Sequence, residues 1–235
     1  IGEVHSTESR IKWNLTYKGD ESPLYLFPRP YYHLPLPKAK ALVGLPFAKF
    51  NGSIEIGNTK VDINEWIGSQ NHNWGSEHTD QYAWGQVAGF DNFPSSFLEI
   101  ATAKVKIGWL NAPKLTILVL RHNGKEFLFN KLKQSIKNKG NYHFFKWTFS
   151  AYNGKEKVDG TIEAKKEDMV GLNYYNPPGG EKCCLNTKIA SANIVLTDQN
   201  GTKEKLLTNT RAAFEILTNN DDHGIKIYQP EQIES

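Results

Sequence analysis

Between positions 66 and 91 the chain gathers side chains suited to small-molecule chemistry: three of its six Trp, two of its seven His, and several amides and acids. In order they are Trp66, the run Asn71-His72-Asn73-Trp74-Gly75, then Glu77, His78 and Asp80, then Tyr82-Ala83-Trp84-Gly85-Gln86 and Phe90-Asp91. Ligand pockets combine aromatic walls with a few polar groups that fix orientation, and this segment supplies both. If residues 82–87 form a strand, Tyr82, Trp84 and Gln86 share one face while Ala83, Gly85 and Val87 share the other. That alternation predicts a polar-aromatic surface with close packing behind it. The competing reading is an aromatic core with satisfied turn amides.

Downstream, strand alternation puts Glu99 on the face of Phe97, Ala101, Ala103, Val105 and Ile107, opposite Lys104 and Lys106. A carboxyl desolvated on an apolar face has a raised pKa and can act as a general acid, protonating an alkene or activating a hydroxyl. Alternatively, Glu99 pairs with Arg121 or with a pocket amide. His78 and Asp80 are further candidate proton donors, placed near the mouth of a pocket. His72 and His78 with Glu77 and Asp80 raise the question of a metal, but the spacing fits no standard zinc pattern and no metal centre is expected. His143 reads as a hydrogen-bonded core histidine on the face of Phe145, Trp147 and Phe149. Phosphate-loop and Gly-x-Ser-x-Gly motifs are absent, and the adjacent Cys183 and Cys184 read as small buried residues opening a strand rather than a redox pair.

The elements that must position these groups are mostly strands. Asn51-Gly52, Asn123-Gly124, Asn153-Gly154 and Asn200-Gly201, together with Gly57-Asn58, sit between runs of β-formers and predict tight hairpin turns. Their spacing suits an all-β barrel or sandwich. Residues 131–139 could form a short helix with Leu132 and Ile136 on one side, and residues 205–217 fit either helix or strand. Six prolines between positions 23 and 46 exclude a run of central strands and predict an extended crossing between two structural units, with a boundary near Gly44. With 28 Lys+Arg against 25 Asp+Glu in 235 residues, the net charge of +3 lacks the dense basic face of a nucleic-acid binder. No apolar stretch approaches the roughly 18 residues of a spanning helix, so no integral membrane segment is expected. Two adjacent cysteines cannot staple distant strands, and compartment and oligomeric state stay open, a cytoplasmic location slightly favoured.

The run Asn71-His72-Asn73-Trp74-Gly75, with Tyr82-Ala83-Trp84-Gly85-Gln86 and Phe90-Asp91, resembles the Asn-Trp-Gly and Trp-x5-Phe signature of tocopherol cyclase-like proteins. Later features follow a similar order: Trp147, the strand from Cys184 through Lys188-Ile189-Ala190, and Ala212-Ala213-Phe214-Glu215. These proteins group with hydroxyneurosporene synthase-type carotenoid hydratases in a lipocalin-like superfamily. The resemblance implies an all-β fold of two lipocalin-like antiparallel β-barrel units. Residues 1–44 would be the end of the first unit with its crossing segment, and 45–235 the second, most of the first lying upstream of Ile1. It also implies an apolar isoprenoid- or polyketide-like small molecule as partner, cyclised, hydrated or isomerised by proton donation without a cofactor. Carried over by position, His72, Trp74, Tyr82 and Trp84 would line the cleft, and Asn73 and Gln86 complete the ligand-binding set. Glu99, His78 and Asp80 are the catalytic candidates. A non-catalytic carrier or sensor of an apolar ligand, or a structural or interaction module, is the alternative.

Overall fold

A computed structural model of the chain describes residues 1–5, 10–77, 79, 81–107, 110–175 and 180–228. It is all-β, built from antiparallel strands apart from one short parallel pair, and divides into two compact units, residues 1–24 with 42–72 and residues 25–41 with 73–235. Among the described residues no helix is long and apolar enough to cross a membrane.

In the first unit, β1 (Gly2–His5) and β2 (Arg10–Lys18) form an antiparallel pair, and β2 ladders onto β4 (Ala39–Ile56). The short β3 (Leu24–Tyr25) and β5 (Thr59–Gly75) also pair with β4, and both long strands continue into the second unit. Gly57-Asn58 makes the expected turn between β4 and β5. Asn51-Gly52 does not turn: the strand runs straight through it. Gly52 lies at φ +137°, and a Cβ there would come within 2.0 Å of the Asn14 carbonyl oxygen, so glycine is required by close strand approach. Asn51 instead donates to Glu65 Oε1 at 2.8 Å and accepts the Glu65 backbone N–H at 3.0 Å, holding Glu65 at φ 54°. Pro46 likewise falls inside β4, beyond the stretch laddered to β2, which begins at Lys49.

The second unit holds β6 (Gln81–Ala88), β7 (Phe97–Ile107), β8 (Leu110–His122), β9 (Lys125–Phe129), α1 (Leu132–Lys137), β10 (Lys139–His143), β11 (Lys146–Tyr152) and β12 (Lys157–Glu163). β13 (Val170–Tyr175), β14 (Glu181–Thr197), β15 (Lys203–Thr218) and β16 (Ile227–Tyr228) complete it. Each strand pairs with its successor from β6 to β9 and from β10 to β12. The long β14 takes β12 on one half and β13 on the other, and β15 returns to pair with β6. Among the described residues, the sheet therefore curls into a barrel whose backbone ladder ends at β9 on one side and β10 on the other. Turns at Asn123-Gly124, Asn153-Gly154 and Asn200-Gly201 join the strands as their sequences predict, with Asn123 and Gly124 both at positive φ.

Side chains close the interrupted seam. Asn138, 7% exposed, donates from Nδ2 to the carbonyls of Thr116 on β8 and Phe129 on β9, and its Oδ1 accepts the Tyr152 N–H of β11. Gly140 on β10 lies against Thr102 and Thr116, where a Cβ would meet Thr102 Oγ1 at 2.0 Å. Inside the curl, Trp147 stacks on Phe214 at 6.3 Å and meets Phe149 edge-on, although β11 and β15 are not ladder neighbours. The lumen is thus filled by side chains. Gly85 explains the small-residue face of β6, since a Cβ there would sit 2.7 Å from Ile162 and 3.2 Å from Trp147 across the barrel.

One expectation is corrected here, and the expected short helix forms. His143 is exposed, because Phe144 and Phe145 form a turn that ends β10 and restarts the alternation at Lys146. The helix at 132–137 exposes Leu132 and Ile136 and buries Ser135 instead, whose hydroxyl donates to the Lys131 carbonyl.

Candidate functional site

Register on the second sheet builds the site. Along β7, Leu98, Ile100 and Thr102 point into the filled lumen, so Phe97 and Glu99 point to the opposite face. Glu99 pairs across the ladder with Gln86 of β6, Ala101 with Trp84, and Ala103 with Tyr82. Cross-strand partners share a face, which gathers Tyr82, Trp84, Gln86 and Glu99 on the barrel's outer surface rather than in its lumen.

Glu99 is 3% exposed. Its Oε1 accepts Trp84 Nε1–H at 2.7 Å and its Oε2 accepts Gln86 Nε2–H at 2.8 Å. Burial raises the carboxyl pKa from its usual 4.5 to about 7, against the two hydrogen bonds, which favour the charged form. The carboxyl is therefore poised to exchange a proton near neutral pH. Of the two partnerships considered for Glu99, the amide contact is the one observed; Arg121 Nε donates to Glu126 at 2.8 Å.

Tyr32 lies in electrostatic reach of Glu99, on the 3₁₀ turn Arg29–Tyr32 inside the Pro-rich segment. Its hydroxyl donates to the Ala41 carbonyl at 2.6 Å and accepts the Phe27 N–H at 3.3 Å, while burial pushes its pKa up to about 12. The ring packs edge-on to Tyr25 and 5.8 Å from Trp74. Asn130 ties the same segment down by donating to the Leu26 carbonyl at 3.0 Å. The prolines that interrupt strand pairing thus leave a loop that brings the Tyr32 hydroxyl within electrostatic reach of Glu99. Nothing in its spacing announced Tyr32.

The other sequence-derived residues distribute as follows. Tyr82 donates to Glu215 of β15, which lies across the ladder from Trp84 and also accepts from Asn186 Nδ2. Burial, and then the Glu215 charge, push the Tyr82 pKa well above its ordinary value. Lys188 holds its ammonium 5.1 Å from the centre of the Trp84 ring, on one of its faces. Asn73 and Trp74 are exposed at the end of β5 and belong to the same unit as Glu99, whereas His72 belongs to the other. His78 and Asp80 lie outside the described residues, and Glu77 pairs with Lys38. Glu215 was legible in retrospect, since Phe214 and Ile216 on the core face force it to the other side.

A second cluster has the look of a nucleophile relay. Ser96 Oγ and His122 Nδ1 are 2.7 Å apart, as are His122 Nε2 and Glu204 Oε2. Serine and histidine are each 2% exposed, so this chain of bonds ties the loop before β7 to β8 and β15 and offers substrate no nucleophile.

The Trp84 bond gives a direct check. Trp84→Phe removes one donor that favours the charged carboxylate, so the Glu99 pKa should rise by about one unit. Carboxyl-carbon NMR of Glu99 across pH measures it; an unchanged midpoint would show that the 2.7 Å bond does not set the ionisation.

Two uncharacterized Mycobacterium tuberculosis proteins, from strains CDC 1551 and H37Rv, are each 28% identical to the chain over 195 residues, 83% of its length. The match spans 58% of those relatives' own length. Kievitone hydratase from Nectria haematococca superposes with a TM-score of 0.48 at 11% identity, covering 91% of this chain and 62% of that one. The model of the tocopherol cyclase-like family matches residues 34–216, a span that includes the signature run, the Glu99 ladder and Glu215, and the chain belongs to that family.

Proposed function

We propose that the chain binds an apolar, isoprenoid- or polyketide-like small molecule against the outer face of β6 and β7 and protonates it from Glu99, as a cofactor-independent cyclase, hydratase or isomerase. The observation that carries this reading is a carboxyl 3% exposed, with its pKa near 7, set among Trp84, Gln86 and the Tyr32 loop. Membership of the tocopherol cyclase-like family supports it.

In the proposed step the Glu99 O–H proton adds to a carbon–carbon double bond, leaving a carbocation and the Glu99 carboxylate. Trp84 and Gln86 already donate to that carboxylate and stabilise it as it forms. One face of the Trp84 ring carries Lys188, which leaves the other face to meet the cation. Water or a substrate hydroxyl then captures the cation and returns its proton to Glu99. Access follows from burial: at 3% exposure, Glu99 is reached only when neighbouring side chains move aside for the ligand.

The test is native mass spectrometry of protein from its own host, organic extraction of the bound molecule, and incubation of that molecule with the protein in D2O. Turnover with deuterium on carbon in the wild type, absent in Glu99→Gln, is the expected result. A bound apolar molecule that gains no deuterium would make the protein a carrier and overturn the catalytic step. A clean apo mass with no thermal shift from isoprenoids would overturn the ligand itself.

A further inference from the structure

Far from Glu99 in sequence register, the end of β15 and the segment after it fold back over the start of β14. Cys183 on β14 pairs with Thr218, the last residue of β15. The Asn220 N–H donates to Thr218 Oγ1 and the Asp222 N–H to Asn220 Oδ1, which brings Asp221 and His223 round towards Cys183. The Cys183 thiol donates to Asp221 Oδ1 at 3.4 Å. The Cys183 sulfur, a carboxylate oxygen of Asp221 and a ring nitrogen of His223 all lie within 4.8 Å of one another.

We propose that Cys183, Asp221 and His223 form a binding site for a single divalent metal ion of the zinc type.

The donor set is one soft thiolate, one imidazole and one carboxylate. That combination selects zinc over magnesium or calcium, which take oxygen, and three protein ligands leave a fourth tetrahedral position for water. Cluster geometry is not the whole argument. His223 is 4% exposed, its ring set edge-on to Phe144 with centroids 5.5 Å apart. Nδ1 accepts the Ile225 backbone N–H at 3.0 Å, so the neutral ring carries its proton on Nε2. That Nε2 is buried and has no hydrogen-bond partner among the described residues. A buried polar group left without a partner costs about 1–3 kcal/mol and calls for an explanation. A metal ion bound at Nε2 supplies one.

Metal binding has a local consequence that separates it from capture by a lone thiol. If Nδ1 takes the ion, the Ile225 N–H loses its acceptor directly. If Nε2 takes it, the ring proton moves to Nδ1 and the same N–H loses its acceptor. Either way the Ile225 amide must respond. Lys166 opposes the cation: its Nζ packs against Gly224, next to His223. Neutralising Lys166 should therefore tighten binding a few-fold through removal of like charge.

No sequence motif marks this site, because the ligands come from separate parts of the chain and meet only through the β14–β15 register. It is independent of the Glu99 chemistry, and its test needs no substrate.

Titrating the reduced, metal-free 235-residue chain with Co2+ should give a stoichiometric thiolate-to-metal charge-transfer band with tetrahedral d–d absorption, displaced by Zn2+. The band should vanish in Cys183→Ser, His223→Gln and Asp221→Asn, persist in Cys184→Ala, and strengthen at limiting Co2+ in Lys166→Gln. Asp221 is exposed, so its variant tests the site without a risk to folding. The Ile225 amide resonance should shift with Zn2+. Absence of the band, a band that survives His223→Gln or Asp221→Asn, or an Ile225 amide indifferent to Zn2+ would overturn the proposal.

Discussion

Glu99→Gln should flatten the pH dependence of folding stability between about pH 4.5 and 7, a difference from wild type of about 3 kcal/mol across that window. The sign follows from proton counting. With its folded pKa raised to about 7, Glu99 holds a proton in the native state where the unfolded chain has already released it. The stabilisation it contributes is complete below the unfolded value of 4.5 and is lost as pH rises through 7. The variant has no such group. Gln also strands one of the two donors, Trp84 Nε1–H or Gln86 Nε2–H, because an amide has one acceptor oxygen where the carboxylate had two. That penalty of about 1–3 kcal/mol is the same at every pH, so the quantity to read is the slope and not the offset. Denaturant unfolding at a series of pH values measures it; parallel curves for the two proteins would mean that Glu99 ionises as an ordinary surface carboxyl and could not serve as a proton donor near neutrality.

The same carboxyl shows what the sequence makes visible and what it hides. Alternation alone places Glu99 on a buried face and Tyr82, Trp84 and Gln86 together, because the side-chain period of a strand is fixed by backbone geometry. The Asn-Gly pairs mark three of the β-hairpin turns for the same local reason. Pairing between distant strands is another matter. The ladder that sets Glu215 across from Trp84, and the loop that carries Tyr32 to Glu99, depend on contacts between segments remote in sequence, which no local pattern encodes. Asn51-Gly52 misleads because one sequence serves two geometries. Gly52 supplies positive φ, yet the close approach of Asn14 on β2, and not a chain reversal, is what requires it. His143 misleads because a two-residue turn resets the alternation. The filled lumen is likewise a tertiary fact: it sends the polar-aromatic face outward, and contacts across the barrel, at Gly85 and between Trp147 and Phe214, reveal it.

Asn138→Ala should destabilise the protein by about 3 kcal/mol, although it removes only a small polar side chain. Asn138 makes three bonds at the seam between β9 and β10, where the described residues form no backbone ladder: to the Thr116 carbonyl at 3.0 Å, to the Phe129 carbonyl at 3.1 Å, and from the Tyr152 N–H at 3.0 Å. Alanine leaves two carbonyls and one N–H without these partners, and at 7% exposure little water reaches the site to replace them. Asn138→Asp sharpens the argument. It keeps an acceptor for Tyr152 but turns a carboxylate oxygen towards two carbonyl oxygens, so at neutral pH it should cost more than alanine does. If instead Asn138 only fills space, aspartate, nearly its isostere, should be the milder change. Denaturant unfolding ranks the two variants, and amide exchange at Tyr152 reports the seam itself. An alanine variant within about 0.5 kcal/mol of wild type would show that β9 and β10 are held by packing alone. The seam also bears on the site: Thr116 belongs to β8, which ladders directly onto the Glu99 strand, so a barrel opened there loosens the support beneath the buried carboxyl.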